Sequence, residues 1–436
     1  MSEHEKTITV APEERERRAA GRYTGRYLLT TRVEEHQDVS AQLSGMGVAS
    51  ATLDAQGVTP VQALPPGRHI TLGELGVVLV DPLPEQRDDL LKMASDSDAV
   101  TALEPERINS VMTNTSDYIQ GWRDGVGAMA DHLLVGAAGT TAQAATTAPY
   151  TWGLDATRAR LSPFAGARIR LAILDTGFDL AHPDFANRNV TVKNFVGDNT
   201  PFHDGHGHGT HCCGTAAGPA QPLPLPRYGV AGGVDLFVGR VLDDSGRGGD
   251  FNILQAIDWA ISEGCQVISM SLGAPWSPGD QSYSPAYERA AQRALAAGCL
   301  IIAAAGNEAS RLGFVGAIGT PGNSPSVLTV AAIDSAFATA AFSNRIRSAA
   351  PGVKGPDLAA PGVDIYSSWL MPPRYNTISG TSMATPHVAG IAALYAESSP
   401  TLRGQALKDV LIARCRSLAD GVSRRGEIGA GLVQAP

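Results

Sequence analysis

Residues 168–177 read RIRLAILDTG, an apolar run of strand length that stops at an aspartate and a Thr-Gly turn. An isolated run of this kind does not distinguish a buried strand from a buried helix, so its surroundings decide. Downstream the pattern repeats. DLFVGRVL precedes the helix-like FNILQAIDWAISEG, and QVISMSLG precedes YERAAQRALAAG. CLIIAAAGN and SVLTVAAID follow, and then TSMATPHVAGIAALYAES, which reads as a helix. Continuous apolar strands alternating with helices predict a mostly parallel α/β sheet with helices on both faces, over residues 149–436. In such folds the reactive groups gather beyond the carboxyl ends of the strands.

Working toward the N-terminus, the pattern changes. Residues 113–148 hold SDYIQGWRDGVGAMADHLL, which reads as a helix, and GAAGTTAQAATTAP, which reads as a flexible linker. Residues 23–112 read β-α-β-β-α-β, a small ferredoxin-like α+β unit. Its helices are EEHQDVSAQLSGMG and PEQRDDLLKMASD, the second with Leu90, Leu91 and Met93 on one side, and AVTALEPE is its short last strand. Residues 1–22 read as a charged, solvated tail.

Composition sets the outer bounds. The chain has 436 residues, of which 43% are hydrophobic and 18% charged, as in soluble globular proteins. A formal net charge of −9 leaves no basic surplus to neutralise phosphates, which argues against a nucleic-acid partner. No run reaches the length of a membrane span. The N-terminus lacks a signal-peptide core, so the expected location is the cytoplasm, with five reduced cysteines. A trimmed N-terminus, or export by another route, would make the protein a secreted one.

Three strand ends or helix starts carry reactive side chains: Asp175 closing IRLAILD, His208 opening GHGTH, and Ser382 in ISGTSMATPHVAG. A serine hydroxyl becomes a nucleophile when an imidazole takes its proton and a carboxylate orients that imidazole. Each feature alone has a plainer reading, since Asp-Thr-Gly is usually a turn and a serine in a glycine turn is usually a helix cap. The combination, in the order Asp, His, Ser, overturns those readings.

DTGFD, GHGTHCCGT, AAAGNE and SGTSMATPHVAG resemble the signature blocks of the subtilisin-like serine proteases, the subtilases. GRVLDDSGRGGDF and DGHGHGTHCCGT are most similar to the proteinase K branch. The resemblance runs from about residue 149 to the C-terminus and implies a serine endopeptidase acting on proteins or peptides, with no cofactor needed for the chemistry. It implies that Asp175 orients the imidazole, His208 is base and then acid, and Ser382 forms the acyl-enzyme. Asn307 then supplies the side-chain donor of the oxyanion hole. It further implies that Ser245, Gly246 and Arg247 face Ser271, Leu272 and Gly273 across an extended substrate. Ala304, Ala305, Gly306 and Gly319 match the walls and floor of the first specificity pocket. These are small and uncharged, which favours a large apolar residue before the cut bond.

Two calcium sites are in question. Asp184 matches one ligand of a tight site, but the partner loop is replaced by GPAQPLPLPRYG, whose one amide side chain is Gln221, so that site is expected to be lost or rebuilt. A second site would use the carbonyls of Pro325 and Val327 with Asp357, and oxygen donors suit calcium. A turn cap by Asp357 is the other reading.

Secreted subtilases carry an N-terminal pro-domain of ferredoxin-like shape that assists folding and then inhibits. Residues 23–112 resemble it in size and position, with LEPERINSVM as the tail. Self-cleavage after Met112 is expected, with a start in the 136–150 linker as the alternative. An unrelated binding domain is the plainer reading of this unit. The narrower enzymatic alternative is a dedicated maturation peptidase for one client. The non-enzymatic alternatives are a pseudoprotease binding module, which the intact set Asp175, His208, Ser382 and Asn307 disfavours, and a metal-binding protein.

That last reading arises from HDGHGHGTHCC, residues 203–213, with four histidines and two cysteines. The spacing assigns the chemistry to His208 alone. His203 and His206 fall in the preceding loop, His211 is a buried helix residue, and Cys212 lies one turn behind the imidazole. A thiol there predicts sensitivity to mercurials.

Overall fold

A computed structural model of the chain describes residues 7–8, 21–51, 64–112, 149–197, 203–222, 226–276, 282–309, 316–345, 354–418 and 425–436. The helix and linker expected within 113–148, and most of the charged tail, lie outside the described residues. Two units are built on separate sheets.

The first unit comprises β1 (Thr7–Ile8), β2 (Tyr23–Thr31), α1 (His36–Gly45), β3 (Ala49–Ser50), β4 (Arg68–Leu72), β5 (Val77–Asp81), α2 (Arg87–Asp96) and β6 (Val100–Val111). Its central strands lie in the order β6-β2-β5-β4, each antiparallel to its neighbour. This is the split β-α-β arrangement that the pattern of residues 23–112 predicts. Alternation along β2 divides its side chains between two cores. Tyr27 and Leu29 pack with Val39 and Leu43 of α1 and Leu90 and Ala94 of α2. Leu28 points to the opposite face and joins Phe251 and Tyr287 of the second unit. On α2 the fully buried pair is Leu90 and Ala94, one turn apart, while Leu91 and Met93 are only partly buried.

β6 is the main departure from expectation. The sequence predicts a short strand, and twelve residues are extended. Its second half finds hydrogen-bonding partners outside its own sheet, in strands that flank the candidate site.

The second unit comprises β7 (Arg170–Asp175), β8 (Val190–Asn194), α3 (His208–Ala217), β9 (Asp235–Arg240), β10 (Arg247–Gly249), α4 (Asp250–Ser262), β11 (Val267–Met270), β12 (Leu272–Gly273), α5 (Pro285–Ala296), β13 (Leu300–Ala304), β14 (Leu328–Ile333) and β15 (Leu358–Pro361). A hairpin of β16 (Ile365–Ser368) and β17 (Tyr375–Ile378) leads into α6 (Thr381–Ser398) and α7 (Gly404–Ala413). The main sheet runs β15-β14-β13-β11-β7-β9-β8. Every adjacent pair in it is parallel.

β7, from the apolar run RIRLAILD, lies inside this sheet with both faces covered. Leu171 and Ile173 pack with α3 and α6, whereas Ala172 and Leu174 pack with α4 and α5. Each fully buried Leu or Ile contributes about 1.5–3 kcal/mol over its exposed state. Leu174→Asp would therefore break the sheet at the strand that carries Asp175. Among the described residues no helix is long and apolar enough to cross a membrane.

Candidate active site

β7 delivers Asp175 at its carboxyl end, and His208 is the first residue of α3. Both are fully buried, and His208 Nδ1 lies 2.7 Å from Asp175 Oδ1, placed to donate to the carboxylate. His208 Nε2 has no hydrogen-bond partner among the described residues. The ring is therefore oriented at one nitrogen and open at the other, as a general base requires.

The helix start is fixed by Asp204, which sequence reading did not single out. Its Oδ1 accepts from Thr176 Oγ1 (2.8 Å), His206 N (3.0 Å) and Gly207 N (2.8 Å). Its Oδ2 accepts from Thr210 N (2.8 Å) and Thr210 Oγ1 (2.7 Å). Burial alone would raise the Asp204 pKa, but the hydrogen bonds from Gly207, Thr210 and Thr176 outweigh it and hold it below the ordinary value. Gly207 precedes the helix at φ +98°, a backbone state glycine adopts without strain. A Cβ on Gly209 would meet Gly177 O at 2.2 Å, so the loop after Asp175 packs directly on this helix.

Ser382 is the second residue of α6. Its Oγ donates to Ser271 O at 2.9 Å and not to His208 Nε2. The expected serine–imidazole hydrogen bond is thus not made in this conformation. Asn307 follows β13, and its Oδ1 accepts from Thr381 N (3.0 Å) and Thr381 Oγ1 (2.9 Å). Its Nδ2 is buried and unpartnered among the described residues, a free donor at the start of α6.

The cleft beside Ser382 contains the chain's own residues 108–112. Ser110, Asn109 and Ile108 pair antiparallel with Arg247, Gly248 and Gly249, while Val111 and Ser110 pair with Leu272 and Gly273. Val111 N donates to Gly246 O (3.1 Å), Met112 N to Ser271 O (3.2 Å), and Ser382 N to Met112 O (3.2 Å). Ser245 does not pair with this segment in the ladder, and its hydroxyl donates to Asp243 Oδ1 at 2.6 Å. Met112 is buried, and a Cβ on Gly273 would come within 2.7 Å of its Cε. A Cβ on Gly319 would meet Ala274 O at 2.2 Å, and Ala304 and Ala305 are buried. One acidic group stands nearer than expected. Glu308 lies beside Gly306, with its carboxylate taking the Asn344 amide, and burial raises its pKa.

The histidine-rich stretch resolves into distinct environments. His206 is held neutral by burial and by His208, at a pKa of about 4, and His211 by burial, at about 3. His211 Nε2 pairs with Ile365 O at 2.9 Å, and His203 is exposed. Among the described residues only Asp175, His208 and Cys212 bring potential metal-ligand atoms together, within 4.8 Å. Cys212 Sγ lies 3.9 Å from His208 Nδ1, and burial pushes its thiol pKa well above the ordinary value. A protonated thiol behind an imidazole already engaged by Asp175 is a poor metal ligand.

The calcium expectation at Pro325, Val327 and Asp357 does not hold, because two lysines fill the place. Lys354 Nζ donates to Gly322 O (3.2 Å), Ser324 O (2.9 Å), Val327 O (2.5 Å) and Thr329 Oγ1 (2.8 Å). It also pairs with Asp357 Oδ2 at 3.1 Å. Lys408 Nζ donates to Pro325 O (2.8 Å) and Val327 O (3.1 Å). The oxygens a cation would need already hold two ammonium groups, and a third positive charge there is repelled. The turn-cap reading of Asp357 survives, since its Oδ2 accepts from Thr329 N at 2.7 Å. Asp184 is likewise committed, to the hydroxyls of Tyr228 and Tyr375.

Residues 166–431 match the profile of the subtilase family of peptidases. Subtilisin DY of Bacillus licheniformis is 37% identical over 279 residues, 63% of this chain and 94% of that protein. Subtilisin E of Bacillus subtilis is 37% identical over 271 residues, 62% of this chain and 65% of that protein. Among solved structures, a cold adapted subtilisin-like serine proteinase superposes with a TM-score of 0.55 at 32% identity, covering 66% of this chain and 99% of that one.

Proposed function

This chain belongs to the subtilase family, so it is a serine endopeptidase acting on proteins or peptides without a cofactor, and we propose that Ser382 is its nucleophile and that residues 23–112 are its own inhibitory pro-domain. In this mechanism the Ser382 hydroxyl turns from Ser271 O toward His208 Nε2. His208 takes the proton as Oγ attacks the carbonyl carbon, and Asp175 balances the imidazolium. The oxyanion is met by Ser382 N–H and Asn307 Nδ2. Losing one such donor lowers kcat about 10²–10³-fold. His208 then protonates the leaving amine, and water repeats the sequence on the acyl-enzyme.

The observation that carries the proposal is the Met112 carbonyl, which accepts from Ser382 N at 3.2 Å while its chain is paired on both sides. A substrate about to be cut between residues 112 and 113 would lie this way, with a large apolar side chain in the first pocket. Inhibition is supported by the way the pro-domain grips two helix starts. Glu104 Oε1 accepts from Ser284 Oγ (2.7 Å) and Ala286 N (3.1 Å) at the start of α5. Glu106 Oε1 accepts from Phe251 N (3.1 Å) at the start of α4. Carboxylates at helix N-termini are favoured by both the free N–H groups and the helix dipole.

Mass spectrometry of the expressed full chain tests this. A mature fragment beginning at Thr113, absent in Ser382→Ala and slowed in Met112→Asp, is the expected result. A mature start within residues 136–150 would refute cleavage after Met112.

A further inference from the structure

The fourth residue before the proposed cut, Asn109, is fully buried, and its amide Nδ2 donates to Asp250 Oδ1 at 2.7 Å. Two residues further upstream, the backbone N–H of Arg107 donates to Asp250 Oδ2 at 2.8 Å. Asp250, itself fully buried at the first turn of α4, also accepts from Tyr287 OH at 3.1 Å. The Arg107 guanidinium stands 3.6 Å away but is closer to Glu104 of its own strand, at 2.8 Å. The acceptors of Asp250 are therefore filled mainly by the tail, and they empty when the tail leaves.

We propose that Asp250 is the selectivity residue of the subsite that takes the fourth side chain before the cut bond. It accepts a hydrogen from a short amide such as asparagine there, and it anchors the backbone two residues further upstream. This inference deepens the proposed function and rests on its reading of Met112 as the residue before the cut. A carboxylate facing a dry subsite selects by what it leaves unpaired. An aliphatic side chain would remove the amide donor from Asp250 Oδ1 and leave it only the Tyr287 hydroxyl, and an acidic one would place two carboxylates together. Burial already raises the Asp250 pKa to about 6, with Arg107 and Asn109 pulling it back down. Loss of the Asn109 donor would therefore be felt. The substrate class that follows is an extended segment of at least six residues with a polar donor at its third position and a large apolar residue at its sixth.

The test uses the processed enzyme and fluorogenic hexapeptides Arg-Ile-X-Ser-Val-Met, each carrying a coumarin leaving group. With X as Asn, kcat/KM is expected to exceed that for Ala or Leu by about tenfold or more, with Asp the poorest. In Asp250→Ala the Asn-to-Ala ratio is expected to fall close to one. Equal cleavage of the Asn and Ala peptides by the wild-type enzyme would overturn the inference and leave the proteolytic reading standing. An Asn preference that persists in Asp250→Ala would overturn it as well. If enzyme that reacts with a fluorophosphonate cleaves none of these peptides, the tail does not mark the substrate register, and both readings fall.

Discussion

Asp204→Asn is expected to destabilise the protein by about 2–5 kcal/mol, although the side chain hardly changes shape. The carboxylate is fully buried and accepts five hydrogen bonds, three on one oxygen and two on the other. Asparagine keeps one acceptor and turns the other into a donor. If its oxygen faces Thr176, His206 and Gly207, its amine faces the Thr210 N–H, which is left buried and unpaired at a cost of about 1–3 kcal/mol. The three remaining bonds lose their charge assistance, which adds about 1–2 kcal/mol in all. The opposite flip is worse, because three donors then face an amine. Because the native Asp204 pKa is held below 3.8, this stability is present above that pH and is lost as pH falls through the lowered native value. Urea unfolding in a Ser382→Ala background, where self-digestion is removed, reads the effect as a lower midpoint at unchanged slope. A loss under about 1 kcal/mol would refute the claim that Asp204 fixes the start of α3.

Two further outcomes follow from groups outside the reaction itself. His211 and His387 are held neutral by burial, with pKa values of about 3 and about 4 against 6.5 in the unfolded chain. Depressed native values place their stability above pH 6.5, and each is expected to withdraw about 2 kcal/mol by pH 5, seen as a lower urea midpoint in matched unfolding curves. Lys354→Met removes the ammonium that serves three carbonyls and Thr329, and is expected to cost about 2–4 kcal/mol in thermal unfolding. Added calcium should not restore it while Lys408 occupies Pro325 O and Val327 O.

What the sequence made legible was local. Asp175, His208, Ser382 and Asn307 each sit in a short block where an apolar strand or a glycine turn meets a helix start, so type and position could be read together. The parallel sheet was legible for the same reason, since RIRLAILD and its successors are apolar on both faces. What escaped reading depends on partners far apart in the chain. Asp250 and Asn109 are 141 residues apart, and Lys408 and Pro325 are 83 apart. Every residue offers a backbone carbonyl, so Pro325 and Val327 looked available to calcium, and nothing nearby announced that two lysines would reach them. The length of β6 was hidden likewise. Its last part, INSV (residues 108–111), has no strand pattern of its own and is extended because strands 247–249 and 272–273 receive it. Asp204 could have been suspected from DGHGHGT, where an acidic residue precedes a helix start and a threonine follows six positions on.

We propose that Ser382, activated by His208, carries the covalent chemistry. Treating the processed enzyme with a fluorophosphonate and mapping the adduct by peptide mass spectrometry tests it most directly. A single stoichiometric adduct on Ser382, greatly slowed in His208→Ala and absent in Ser382→Ala, is expected. An adduct on another residue, or equal labelling of the Ser382→Ala protein, would contradict it.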